Sequence, residues 1–414
     1  MNRVLPPDVF TTLCRLGDPD LENTPVEQRT LANLCQWPNL LPENVVPDPE
    51  KLVVAQRLFG DYTAEISGAL LLAALPQSYA TGYGSRVLVA NGKLTSDLAR
   101  RIGRTAQFLV TILQQGKDDD KDQNRLWNYQ ASGEQTEGLP WVACLNLRLR
   151  HQVIRDSLTS SDDEAVMLLL GTATRAPDGR SVSMSSVRDH TPLNQEDLLG
   201  MLLTFSFAVF EVLDLYGISW TADEQESYLH LWDLVGGYLG IGSKTVRDAL
   251  TGPCAIPADW LGLRPPTIER SRRLLDQIRG RQWVDPTPEA NVTAKTWTSL
   301  RSGRILTRAL LDELQEGMPP LLKPLPIAVM RALSPRVVRD RLNLGGNGVL
   351  LQSLSLMPKR PVRVGPFTSI NSPNRFAGRV LRSLANDVTA RASVHFRANP
   401  ELKMPSGFDW HDVR

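Results

Sequence analysis

The stretch Gln195–Gly217, QEDLLGMLLTFSFAVFEVLDLYG, constrains this chain more than any other. Asn194 precedes it as an N-cap, Glu196 and Asp197 put negative charge at the positive end of the helix dipole, and Gly217 ends it. Its most apolar part, Leu198–Phe210, falls short of the ~20 residues that a bilayer span needs. It reads as a helix buried in a protein core.

Other segments repeat the helical period. In TSDLARRIGRTAQFLVTILQQG, Ser96 can cap and Gly116 can stop a helix whose Leu98, Ile102, Thr105, Leu109 and Ile112 share one face. Two helical patterns meet around Gly60, the second dense in Ala and Leu. Pro140 opens a further helix, and Thr221 with Glu224 forms a capping box for another. More helices are expected near 267–279, 292–316, 323–342 and 373–392. Residues 159–194 are loop-like, with RAPDGRSVSM a turn between short extended pieces, and the charged KDDDKDQNRLWNYQASGEQTEG is an exposed loop. The expected fold class is all-α. Residues 1–50 form a proline-rich arm on the surface, 51–342 a helical core, and 343–414 an extension packed on that core.

Several function classes are excluded. A net charge of +1 over 414 residues gives no basic field for nucleic acid. Cys14, Cys35, Cys144 and Cys254 lie far apart with no C-x-x-C pair, so reduced thiols are expected rather than a disulfide framework or zinc site. No H-E-x-x-H, G-x-S-x-G, Walker loop or dinucleotide glycine fingerprint is present. The N-terminus lacks an apolar run of signal-peptide length, which gives an expectation of a cytoplasmic protein without a membrane span.

Chemistry concentrates in Leu147–Arg155, LRLRHQVIR. At 100° per residue, Leu147, His151, Ile154 and Leu158 share a face expected to be buried. Arg148 projects about 60° from His151, and Arg155 about 40° to the same side. Two buried arginines require anions, and no acid lies in this helix before Asp156. An anionic ligand from outside would satisfy them. Haem meets the description: a neutral imidazole can ligate its iron, and arginines can bind its propionates. The alternative is a core histidine bonded to a backbone carbonyl, with the arginines reaching outward to solvent.

These residues, together with RRIGRTAQF and the segment TPLNQEDLLGMLLTFSFAVFEVLDLYGISWTADEQESYLHLWDLVGGYLGI, resemble the latex-clearing-protein and MpaB oxygenase family over roughly residues 55–250. The resemblance implies a b-type haem in a globin-like helical core, with His151 as proximal iron ligand and Arg148 and Arg155 at the family's arginine positions. Arg101, Arg104 and Thr105 take the distal catalytic positions. Arg104 stands where rubber-cleaving members carry lysine. Arginine keeps its proton and cannot ligate iron, but it can donate hydrogen bonds where negative charge develops on oxygen. Ser85 stands near the position of the family's glutamate base, and no acid lies between Glu65 and Asp97. His230 is expected to pack, or else to serve as a second ligand or a partner of the first. His190 is expected in a loop.

The implied activity is that of a haem-b oxygenase using dioxygen on a small lipophilic substrate, terpenoid-like or another specialised metabolite, with oxidative C=C cleavage as a possible transformation. The alternatives are a peroxidase-like or dehydrogenating haem enzyme, and a non-catalytic haem-binding helical protein.

Overall fold

A computed structural model describes residues 7–37, 40–42, 45–91, 98–113, 126–127, 139–170, 173–175, 181–183, 190–251, 267–283, 294–316, 318–345, 359–364, 368–373 and 375–397. Ser96, Gly116, Cys254 and most of the charged 117–138 segment fall outside them. Among the described residues the fold is all-α, with two antiparallel hairpins added, Ala173–Arg175 with Ser181–Ser183 and Lys359–Val364 with Thr368–Pro373. The first hairpin occupies the expected turn between extended pieces. The second is a correction, because 343–372 carries no period-2 pattern strong enough to announce strands.

The chain divides into two compact units that interleave in sequence, a division different from the linear arm, core and extension. The first comprises Met1–Gly60, Val110–Ser206 and Thr221–Leu275; the second comprises Asp61–Leu109, Phe207–Trp220 and Asp276–Arg414.

In the first unit, the helix Pro140–Thr159, called here the histidine helix, packs on Ala222–Tyr238 and on the short helix Leu31–Leu34. Pro140 at its first turn has no N–H to leave unsatisfied. Thr221 and Glu224 form the capping box of Ala222–Tyr238 as the sequence predicts. Asn194 accepts the Asp197 N–H at 2.9 Å and caps Gln195–Phe205. That helix stops at Ser206. The Thr204 and Ser206 hydroxyls both donate at 2.7 Å to carbonyls four residues back, a bonding pattern that bends helices.

The N-terminal arm consists of short helical pieces, Pro7–Leu13, Pro19–Glu22, Val26–Gln28 and Leu31–Leu34. It is not a surface wrapping. Val9, Phe10, Leu13, Leu21 and Leu34 are buried, and Pro7–Leu13 packs against Gln195–Phe205. Each piece is too short to persist alone, so burial of its apolar face must stabilise it.

In the second unit, Ala294–Gln315 packs on Gly82–Ala90, Leu75–Tyr79 and Arg336–Leu342. Arg375–Arg397 packs on Thr63–Ala69, Phe207–Tyr216 and Leu325–Leu333. Between Thr63–Ala69 and Leu75–Tyr79 the helix widens to a π-turn at Leu70–Ala74, which periodicity did not foresee. Arg279 is fixed by Glu211 at 2.8 and 2.9 Å and by Gln77 at 2.7 Å, all within this unit.

Gln195–Tyr216 has the length and hydropathy of a membrane span, and 72% of its most apolar window is buried inside the protein.

Candidate functional site

The buried face of the histidine helix is not the one expected. Cys144, Leu145, Arg148, Gln152, Arg155 and Leu158 are buried, whereas Leu147, His151 and Ile154 are only half-buried. Among these, only Leu158 of the apolar row reaches the core. Around the helix, the buried row centres about 60° from His151, toward the two arginines. Its polar members can be buried because the arm supplies their counter-charges.

Arg148 is nearly sealed, with 3% of its side chain exposed. Its Nε donates to Asp18 Oδ2 at 2.6 Å and its Nη2 to Asp18 Oδ1 at 2.8 Å, a bidentate pair, with a further bond to Asp20 Oδ2 at 2.9 Å. The Trp37 ring lies 5.5 Å from the guanidinium carbon. Burial pulls the Arg148 pKa down, but Asp18 and Asp20 more than reverse this and leave it above its ordinary value. Arg155 Nε donates to the Pro192 carbonyl at 3.1 Å, Nη2 donates to the Leu193 carbonyl at 2.8 Å, and Nη1 donates to Gln152. Burial lowers its pKa, partly offset by Asp18, Glu22 and Asp156, while Arg148 adds to the lowering.

This corrects the expectation for Arg148 and Arg155. Asp18 and Asp20 supply the anions for Arg148, and neutral carbonyl and amide oxygens hold Arg155 with Glu22 Oε1 at 3.9 Å, so their burial does not by itself call for haem propionates. Asp18, Asp20, Gln152 and Gln195 are the residues that sequence reasoning missed. The one local signal was Gly-Asp-Pro-Asp-Leu-Glu at residues 17–22, three acids at alternate positions in an arm otherwise read as surface.

His151 itself sits in the half-buried apolar row between Leu147 and Ile154, with its Nδ1 buried. An imidazole flanked by apolar side chains, on a helix whose neighbouring face is locked, could hold a haem iron. Among the described residues, no three His, Cys, Asp or Glu converge as metal ligands. A two-histidine-one-carboxylate iron site needs such a trio, whereas haem needs one protein donor. His151 offers the one donor that haem would need, and Arg148 and Arg155 have acceptors within the fold.

Geometry places two further histidines, His230 and His190. His230 Nε2 accepts the Asp48 N–H at 2.9 Å, so that nitrogen is used by the fold and the packing role holds. Burial lowers its pKa, with Lys51 adding to the lowering and Asp233 and Asp48 opposing it. His190 lies in the loop before Gln195, as expected.

The three distal candidates lie on the helix Leu98–Leu113, within the part up to Leu109 that belongs to the second unit. Arg101 is half-buried, with a buried Nη1 that has no hydrogen-bond partner among the described residues. Burial lowers its pKa; Tyr79 opposes and Arg104 reinforces the shift. Arg104 and Thr105 are exposed. Thr105 is exposed, although Leu98 and Ile112 of the stripe expected to hold it are buried. Ser85 is buried in Gly82–Ala90 and donates to the Thr81 carbonyl at 2.7 Å, which gives no acid–base group at that position. The nearest upstream acid, Glu65, accepts from Arg382 Nε at 2.7 Å and Asn386 Nδ2 at 3.1 Å, and so anchors Arg375–Arg397.

A cavity of about 330 Å³ elsewhere in this unit is bordered by Arg331, Arg336, Arg339 and Asp340. Its lining is cationic and polar, the wrong chemistry for a lipophilic substrate.

A family model described as "ER-bound oxygenase mpaB/B'/Rubber oxygenase, catalytic domain" matches residues 57–352. Among solved structures, that of latex clearing protein in the closed state is similar at a TM-score of 0.53 and 17% identity, covering 92% of this chain and 91% of that one. At that identity the likeness carries the fold. No curated protein matches this chain. With well over half of its 414 residues inside the matched domain, the chain belongs to the family of MpaB and rubber oxygenases.

Proposed function

We propose that this oxygenase holds haem b through His151 and uses dioxygen on a small lipophilic substrate of terpenoid or similar specialised-metabolite type, cleaving a C=C bond oxidatively. The observation that carries the reading is the half-buried Leu147–His151–Ile154 row, set within the family's Arg-x-x-His-x-x-x-Arg pattern. Bound haem would supply the iron at which dioxygen is activated. The chain's own residues would hold, orient and polarise. His151 would donate its ring nitrogen to the metal, and Leu147 and Ile154 would offer apolar contact beside it. Arg101, Arg104 and Thr105 would keep the role that the family motif gives them, donating hydrogen bonds where negative charge develops on oxygen. A guanidinium does this without ever losing its proton, so Arg104 is not a ligand to iron.

Ser85, near the position of the family's glutamate base, argues for a substrate other than the rubber polymer. The test is turnover of candidate isoprenoids under isotope-labelled dioxygen. Label recovered in both carbonyl fragments supports oxidative cleavage. Product without label contradicts oxygenation and leaves peroxidase-like or dehydrogenating chemistry. Efficient cleavage of polyisoprene would contradict the substrate assignment.

A further inference from the structure

The domain matched by the family model begins at residue 57, yet both carboxylates that hold Arg148 lie upstream of it, at Asp18 and Asp20. We propose that Asp18 is a positioning residue for His151, acting through Arg148, and that the N-terminal segment is thereby a working part of the cofactor site. This rests on the reading of His151 as the iron ligand.

Arg148 precedes His151 by three residues and Arg155 follows it by four, so both lie within one turn of it and on the same flank. A roll of the helix about its axis would carry all three together. The Arg148–Asp18 pair resists that roll, because a bidentate guanidinium–carboxylate bond tolerates little change of angle.

Asp18 is itself fixed. It caps Pro19–Glu22 by accepting the Leu21 N–H at 3.3 Å, and its own N–H donates to Glu22 Oε1 at 3.2 Å. Asp20 is held by the Thr245 hydroxyl at 2.5 Å. Gly240, at φ +78°, closes the other side, since a Cβ there would stand 2.7 Å from the Arg148 guanidinium. Gln195 joins these walls, donating to the carbonyls of Gly17 at 2.7 Å and Gly240 at 3.3 Å and accepting from the Gly242 N–H at 3.1 Å.

The second pin is as closely built. Arg155 bonds the carbonyls of Pro192 and Leu193, and Leu193 is held at φ +51°, a left-handed conformation costly for a leucine. Apolar side chains of similar volume often replace buried ion pairs at no loss of stability. What such a group adds here is a fixed orientation of the helix beside it.

The experiment compares the full-length haem-loaded protein with Asp18→Asn, Asp20→Asn and the double variant Asp18→Leu/Arg148→Met. It reads haem transfer to excess apomyoglobin, the iron–histidine band of the ferrous form by resonance Raman, and the melting midpoint. The expected result is haem loss about tenfold faster in Asp18→Asn, within the range for groups that orient a metal ligand. The iron–histidine band should shift or broaden. A smaller acceleration is expected in Asp20→Asn, which leaves the bidentate pair intact. The double variant should lose haem quickly even if it melts as high as wild type. Unchanged haem loss and an unchanged band in both Asp18→Asn and Asp20→Asn, whatever the melting point does, would overturn the proposal. If Asp18→Asn does not fold, Asp20→Asn and the double variant decide it. Wild-type protein that takes up no haem would instead overturn the parent reading, and this inference with it.

Discussion

Two pairs of arginines in this molecule sit in opposite surroundings. Arg148 and Arg155, in the first unit, are buried and bonded through five of their six guanidinium nitrogens to carboxylates, carbonyls and an amide oxygen of the same chain. Arg101 and Arg104, in the second unit, have no such set among the described residues: Arg101 keeps a buried nitrogen without a partner, and Arg104 is exposed. Helix spacing made Arg148 and Arg155 candidate ligand contacts, and the family resemblance did the same for Arg101 and Arg104. Their surroundings divide them. An arginine whose donors are spent on internal acceptors fixes the fold, whereas a half-buried one such as Arg101 keeps a donor that the proposed chemistry would use.

The largest expected effect lies on the spent pair. Arg148→Ala should destabilise the protein by about 3–5 kcal/mol in denaturant unfolding, because it leaves Asp18 buried without its cation. A loss under about 1 kcal/mol would erase the contrast by showing that the pair contributes little. Arg101→Ala should do the reverse, lowering turnover about 100-fold, as removal of a donor to a developing oxyanion does, with little change in unfolding. A large loss of stability with turnover intact would move Arg101 to the structural class.

The next effect concerns His230, whose neutral Nε2 accepts a backbone N–H. Its folded pKa is lowered from 6.5, first by burial, so the unfolded chain takes up a proton at higher pH than the folded one. This part of the stability is present above about 6.5 and is lost as pH falls through the lowered folded value, with a slope of at most about 1.4 kcal/mol per pH unit. Melting midpoints between pH 7 and 5 should fall more steeply in wild type than in His230→Gln. Parallel curves would contradict the assignment. The smallest effect is at Arg104: being exposed, Arg104→Ala should leave stability within about 0.5 kcal/mol while reducing turnover less than Arg101→Ala does.

Much of the fold was legible because its signals are local. Asn194, Thr221 with Glu224, Pro140 and Gly217 each act within a turn of helix and appear where the sequence places them. The break at Ser206 was not read, since hydroxyl back-bonding competes with a strong apolar run that masks it. The orientation of the histidine helix was misread for a different reason. Periodicity assumes that the apolar row faces the core, but Arg148 finds its carboxylates 130 and 128 residues away. No local pattern carries that pairing, and only the arm's docking reveals it. His151 was legible as a candidate from its motif, and its half-buried setting became visible only when the arginines had claimed the core side.

The central claim is that His151 holds haem iron. Its most direct test is the haem content per chain of purified wild type and His151→Ala, read as the Soret band and by haem extraction, with circular dichroism to confirm that both are folded. One haem per wild-type chain and none in the folded variant is the result predicted. Wild-type protein without haem, or a variant that keeps the same content and the same Soret position, would contradict it.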